Sequence, residues 1–410
     1  MNIYTIIILA AIAVGFVLDL ISNTLNLKAL SKKVPDEFKA IYDEQTYAQS
    51  QEYTKVGTRF GYITGIFDLV VTLAFWFSGG FNWLDQMVRS WGFSELVTGL
   101  AFIFILLIAK TIISLPFSIY STFVIEERFG FNKTTPKIFV VDLFKGLALG
   151  AVIGIPVLAA ILSFFMFAGP LAWLYAWIAV TVFTLAMQYV APTWIMPLFN
   201  KFTPLEEGEL RAAIEAYTNK VDFPLKGLFV IDGSKRSSKS NAFFTGFGKN
   251  KRVALYDTLI ENHTNEELIA VLAHEIGHYK KKHIIKGMIT SIIHTGLLFF
   301  LLSIFLNKEG LFGAFFMENM SVYAGLIFFG MLYAPIEMIL SIFMQMLSRK
   351  HEFEADAYAA QTTGKPEDMI STLKKLSKDN LSNLTPHPFY VFLNYSHPPV
   401  LQRIQAIRKI

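Results

Sequence analysis

The sequence predicts a mainly α, multi-pass membrane protein that carries a small cytoplasmic α+β domain, and three observations support this. Of its 410 residues, 53% are hydrophobic and 17% charged, an apolar share above that of ordinary soluble domains. Seven apolar runs can each cross a bilayer, which takes about 20 residues of helix. They lie near 3–24, 62–82, 96–118, 145–167, 170–192, 284–306 and 321–346. Two polar stretches with shorter elements separate or follow them, so the chain divides into 1–200 (five spans and their loops), 201–283 (polar), 284–346 (two spans) and 347–410 (polar C-terminal segment).

The first run has no Lys or Arg before it and contains Asp19, so it reads as a retained helix and not as a cleaved signal, which would need a basic leader. Basic residues orient the spans. Lys28, Lys32, Lys33, Lys39, Lys55 and Arg59 follow the first span, and Arg128, Lys133 and Lys137 follow the third. The intervening turn holds only Arg89, and the loop between the last two spans only Lys308. By the excess of Lys and Arg in cytoplasmic loops, the N-terminus is outside and the C-terminus and both polar segments are cytoplasmic. Lys280, Lys281 and Lys282, just before the sixth span, then anchor to the anionic leaflet, at about 1 kcal/mol each.

Cysteine is absent, which excludes disulfides, thiolate ligands, a Cys nucleophile and Cys-attached lipid. A metal site must therefore use His, Asp or Glu. The net charge of +4 is too small to suggest a nucleic-acid partner.

Within 201–283 a helix is expected over Leu205–Lys220, followed by strand-like runs LKGLFVID and RVALYDTLI with SNAFFTGF and a Gly- and Lys-rich turn between them. Thr264 and Glu267 form a capping-box signature ahead of LIAVLAHEIGH. On the helix this opens, His274 and His278 are four residues apart and share a face. The C-terminal segment begins SRKHEFEADAYAA, continues in a helix from Pro366 to Lys378 and ends YSHPPVLQRIQAIRKI.

H-E-x-x-H on a helix is the pattern of two zinc ligands with a general base between them. His274 and His278 supply the ligands, and Glu275 is placed to take a proton from a water whose pKa zinc lowers from about 15.7 to near 7. A catalytic zinc site takes three protein ligands, His₂Glu being one such set. The acids Glu352, Glu354 and Asp356 are candidates for the third; Glu352 and Asp356 share a helical face, so Glu352 is preferred, with Asp356 hydrogen-bonded to a ligand histidine and Glu354 as the alternative. Asp68, Lys110, His294 and Glu337 fall inside predicted spans, where such residues usually face protein or water. An ion carrier could use them too, which makes a transporter or lipid-handling protein with a vestigial metal site the rival of another class.

Four blocks in order, GSKRSSKSNAFFTGFGKNKRVALYDTLI, NEELIAVLAHEIGHYKKKH, SRKHEFEADAYA and YSHPPVLQRI, give the chain its resemblance to the Ste24-type CAAX prenyl proteases, integral membrane zinc metalloproteases of the M48 family. The resemblance covers essentially the whole chain and, with so compact a sequence, reads as a bacterial member. It implies seven helices ringed around an intramembrane chamber, with the active site at its cytoplasmic side. It also implies one zinc per chain on His274, His278 and Glu352, with Asp356 behind them and Glu275 as base. Asn241 is implied to hold the substrate backbone along an edge strand, and His397 to contact the scissile carbonyl. The implied activity is removal of the C-terminal tripeptide from prenylated proteins or peptides by a membrane-bound monomer. Its home would be the inner membrane of a bacterium or the endoplasmic reticulum of a eukaryote. The alternative within the same chemistry is a quality-control protease acting on non-prenylated membrane proteins.

Overall fold

The structure, a computed structural model, describes residues 2–245 and 251–410; the Gly- and Lys-rich turn expected before RVALYDTLI lies outside them. Among the described residues, seven helices are long and apolar enough to cross a membrane. They are α1 (Ile3–Lys28), α2 (Glu44–Phe77), α4 (Glu95–Tyr120, prolonged by a π-helical turn to Glu126), α5 (Pro136–Phe167), α6 (Ala172–Val190, prolonged to Leu198), α10 (His283–Phe305) and α12 (Val322–Thr363). Short helices α3 (Gly80–Arg89) and α11 (Glu309–Gly313) cap one end.

The expected spans are all present, with two differences at their ends. The second was expected to reach residue 82, but α2 stops at Phe77 because Gly79 takes the left-handed conformation (φ 74°) and a side chain at Gly80 would collide with Phe75. Conversely, α2 and α5 begin well before their apolar runs, at the side-chain caps Asp43 and Thr135.

Packing is concentrated at the two ends of the spans. At one end Trp76, Phe81, Phe102, Phe315, Tyr323 and Phe328 form a buried aromatic core, pinned by a Trp76 indole bond to the Ala314 carbonyl (2.8 Å) and by Asp85, which accepts from Tyr323 and Arg89. At the other end lies the core of the polar domain. At most 22% of the most apolar stretch of any span is buried within the protein, which leaves much of each helix to face lipid or open space. Lys110 pairs with Asp68, and His294 with Glu337 at 3.0 Å, all four partly to half exposed within the spans. Charges of this kind avoid lipid and face hydrated space. Lys110 and Asp142 line one such space, a cavity of about 540 Å³ bordered also by Ser114, Ser118 and Thr122. The expected chamber follows from these features together.

The polar domain contains a four-stranded sheet in the order β1-β2-β4-β3. β1 (Phe202–Pro204) is antiparallel to β2 (Leu225–Ile231), β2 parallel to β4 (Lys251–Tyr256), and β4 antiparallel to β3 (Ala242–Thr245), which leaves β3 on an edge. The helix expected from Leu205 starts at Glu209, as α7 (Glu209–Lys220), because the chain before it is used by β1 and the turn that follows. The segment leading into β3 is tied to the membrane helices. Arg236 grips Asp142 through two bonds (2.7 and 3.0 Å), and Lys239 donates to Glu126 and Tyr53, both at 2.8 Å.

After α8 (Asp257–Asn262), α9 (Asn265–Lys280) carries H-E-x-x-H. Its capping box is present, and Glu267 reaches further, accepting from Ser371 (2.6 Å) and Lys375 (2.7 Å) of α13 (Pro366–Asp379). The seventh span does not end at the membrane: α12 continues unbroken for 42 residues, about 63 Å at 1.5 Å per residue, and its far third crosses α9. α14 (Pro388–Asn394) and α15 (Val400–Ile407) complete the domain. Leu268, Leu272 and Ile276 of α9 pack there with Ala359, Ile370, Ile404 and Ile407.

Two outcomes are expected. A Cβ at Gly277 would lie 3.1 Å from Ala355 Cα and carbonyl oxygen on α12, so Gly277→Val should push α9 from α12, cost about 1–3 kcal/mol and lower metal content, read by thermal unfolding and elemental analysis. Burial alone would raise the Glu267 pKa, but its bonds from Lys375, Ser371 and the Thr264 N–H outweigh that and hold it below 4.5. A depressed carboxylate stabilises the fold above its unfolded pKa and loses this as pH falls through the folded value. The stability gap between wild type and Glu267→Gln, followed by thermal unfolding, should therefore be widest near neutral pH, at about 2 kcal/mol, and close in acid.

Candidate active site

α9 presents His274 and His278, and α12 presents Glu352 between them. The two Nε2 atoms are 3.1 Å apart; Glu352 Oε2 is 3.4 Å from that of His274, and Oε1 is 3.3 Å from that of His278. Bonds of 2.0–2.2 Å in a tetrahedron give ligand–ligand edges of about 3.3–3.5 Å. The three side chains thus form one face of such a site and could hold a metal ion. Buried Glu352 Oε2 has no hydrogen-bond donor among the described residues. Burial alone would lower the His274 pKa, yet the hydrogen bond to Asp356 and the neighbouring Glu352 carboxylate raise it to about 9.

Asp356 is one turn further along α12. Its Oδ1 accepts from His274 Nδ1 at 2.9 Å, which turns Nε2 toward Glu352 and His278. Asp356 is in turn gripped by Arg403 of α15, with Nη2 at 2.6 Å from Oδ1 and Nε at 2.7 Å from Oδ2, while Nη1 lies 3.5 Å from Glu352 Oε2. Burial opposes the charge on Arg403, but Asp356 outweighs it and holds the pKa above its ordinary value.

Glu275 is half-buried and has no hydrogen bond or ion pair among the described residues. Its side chain lines a cavity of about 480 Å³ shared with His274, Glu352, Asn241, His397 and Arg403. His397 lies three residues before α15; its ring is largely exposed, with Nε2 3.4 Å from Glu352 Oε1 and Nδ1 3.0 Å from the Ser396 hydroxyl. Asn241 immediately precedes edge strand β3, its Oδ1 accepting from the Ala242 N–H and its carbonyl from Tyr256 N–H.

Of the candidate site residues, Asn241, His274, Glu275, Glu352 and His397 line one cavity, His278 and Asp356 lie beside it against Glu352 and His274, and Glu354 is turned away toward His283 (2.9 Å). Arg403 and His283 were not anticipated. Arg403 had a signal: with Val400, Ile404 and Ile407 it occupies the apolar face of α15, an unusual place for a charge. His283 had none, because it lies beyond the end of α9, outside the helical period that links His274 to His278.

Comparison with known proteins supports the same reading over the full length. A family described as "CAAX prenyl protease N-terminal, five membrane helices" matches residues 23–201, and "Peptidase family M48" matches 204–410. A "CAAX prenyl protease 1 homolog" of Arabidopsis thaliana is 37% identical over 408 residues, 96% of each chain. "CAAX prenyl protease 1" of Saccharomyces cerevisiae is 36% identical, over 93% of this chain and 89% of its own. The crystal structure of S. mikatae Ste24p superimposes with a TM-score of 0.91 over 99% of both chains, at 35% identity. This chain belongs to the CAAX prenyl protease 1 (Ste24) group of peptidase family M48.

An M48 chain of this group is a membrane-embedded metalloendopeptidase, and neither a transporter nor a lipid carrier is favoured. In this M48 fold the buried Arg403–Asp356 pair holds the site together. Removing one partner of such a pair leaves an uncompensated charge, at about 3–5 kcal/mol. Arg403→Leu should lose that much stability in a detergent unfolding assay, and adding Asp356→Asn should restore part of it.

Proposed function

We propose that the chain is a zinc endopeptidase that removes the C-terminal tripeptide from prenylated proteins or peptides. The observation that carries this reading is the cavity of about 480 Å³ lined by His274, Glu352, Glu275, His397 and, just ahead of edge strand β3, Asn241, with His278 beside it completing the His₂Glu triad. The names of its relatives, CAAX prenyl protease 1, supply the substrate class.

His274, His278 and Glu352 would hold the metal, and an all-nitrogen-and-oxygen donor set of this composition suits zinc. Zinc there would supply Lewis-acid chemistry, polarising a carbonyl and making water nucleophilic at neutral pH. An extended peptide adds to β3, whose outer edge is unpaired among the described residues, with Asn241 holding its backbone at the strand's start. Glu275 takes the proton of the attacking water at its carboxylate and returns it to the leaving amide nitrogen. The Ser396 hydroxyl can donate to His397 Nδ1, which leaves the Nε2–H to donate to the charge developing on the carbonyl oxygen.

The lysine and arginine distribution supports an N-terminus outside and a catalytic domain in the cytoplasm, where prenylated substrates are made. The chamber above the site would take the lipid chain from the bilayer. The chain would act as a monomer, since one chain supplies the triad, the base and the edge strand.

The test is zinc stoichiometry together with cleavage of matched farnesylated and unmodified CAAX peptides by wild type and Glu275→Gln. One zinc is expected in both proteins, with turnover lowered by about two to four orders of magnitude in the variant and a strong preference for the farnesylated peptide. Wild-type turnover by Glu275→Gln would remove it as the base, and equal rates on the two peptides would move the substrate class to non-prenylated membrane proteins.

A further inference from the structure

The geometry points to His283 and Glu354 as positioning residues that orient the second metal-facing histidine, His278, through a relay that mirrors Asp356 and His274. This inference rests on the metal-site reading above and deepens it.

Facing the triad, His278 uses Nε2. Its other ring nitrogen, Nδ1, is 3.1 Å from Nδ1 of His283, and the far nitrogen of His283, Nε2, is 2.9 Å from Glu354 Oε2. The proton positions then follow in order. An Nε2 that presents its lone pair to a cation belongs to an imidazole protonated on Nδ1, so His278 donates from Nδ1. His283 must accept on Nδ1, which places its own proton on Nε2, and Glu354, a carboxylate with only lone pairs to offer, accepts it. No other arrangement satisfies both contacts while leaving the His278 lone pair free. His274 reaches the same state in one step, donating from Nδ1 to Asp356.

The relay is held in place. His283 begins α10 directly after Lys282, whose left-handed conformation (φ 59°) makes the sharp turn out of α9, and it is buried. Its ring stacks on His351 at 3.9 Å between centroids and 12° between planes. The other oxygen of Glu354 lies 3.9 Å from Lys350, leaving Oε2 to His283. All three acids of the EFEAD stretch thereby acquire separate tasks: Glu352 faces the two imidazoles, Asp356 turns His274, and Glu354 turns His278 through His283.

Partners behind metal-binding histidines are worth about 10–100-fold in metal affinity. The test is zinc affinity by chelator competition on full-length, detergent-purified protein, with the melting temperature of the metal-free form measured in parallel. His283→Phe keeps the ring volume and the stack on His351 but has no nitrogen; it should bind zinc about 10–100-fold more weakly with an unchanged metal-free melting temperature. Glu354→Leu should behave alike, and Glu354→Gln, which keeps an oxygen acceptor, should stay near wild type. A merely structural role for His283 predicts wild-type zinc affinity in His283→Phe, and that result would overturn the relay. If His283→Phe does not fold, equal zinc affinities for Glu354→Leu and Glu354→Gln overturn it instead. Failure of wild type to bind one zinc would count against the metal-site reading itself and so is distinct from either result.

Discussion

The crossing of α9 and α12 at Gly277 is the constraint on which the rest of the structure depends. Two helices can bring side chains on their facing surfaces within metal-ligand distance only if their backbones approach closely, and here the absence of a side chain at Gly277 lets Ala355 come into contact. His274 and His278 flank that glycine, while Glu352 and Asp356 flank Ala355. Each candidate ligand is thus within a turn of the contact, where small errors in helix direction produce the least displacement. The glycine in H-E-I-G-H serves the crossing, and the two histidines profit from it.

The second consequence concerns how a membrane and a site are joined. α12 is about twice as long as a bilayer requires, so the helix that spans the membrane also delivers Glu352. The segment before β3 is fastened to the spans by Arg236–Asp142 and Lys239–Glu126. The polar domain is therefore built onto the membrane part through both halves of its site, the triad through α12 and the edge strand through these ion pairs. Packing follows the same division: a core at each end of the spans, and between them a lightly buried zone that tolerates half-exposed pairs such as His294–Glu337. The proposed substrate, a peptide that carries a lipid chain, needs this space, and a solid bundle would deny it.

The site also depends on carboxylates arranged behind the imidazoles. A metal-facing histidine that could rotate or change tautomer would present a proton as often as a lone pair, so fixing its far nitrogen matters as much as placing the near one. Asp356 and Arg403 do this for His274 within a buried, fully partnered cluster. His278 borders the chain reversal into α10, and there the acceptor is His283.

The sequence by itself determined the number of spans, the presence of a small α+β domain, the capped helix bearing His274, Glu275 and His278, and the two acids on one face downstream. Each of these is written in local pattern: apolar run length, a capping box, and the four-residue repeat of a helix. The end of α2 at Gly79, the start of α7 and the unbroken length of α12 were less legible, because a helix boundary depends on what its neighbours do with the adjoining residues. Tertiary structure alone decided that Arg403 neutralises Asp356 and that His283 lies against His278. These are contacts between segments far apart in the chain or beyond a helix end. No periodicity links such residues, and only the packing of the helices brings them together.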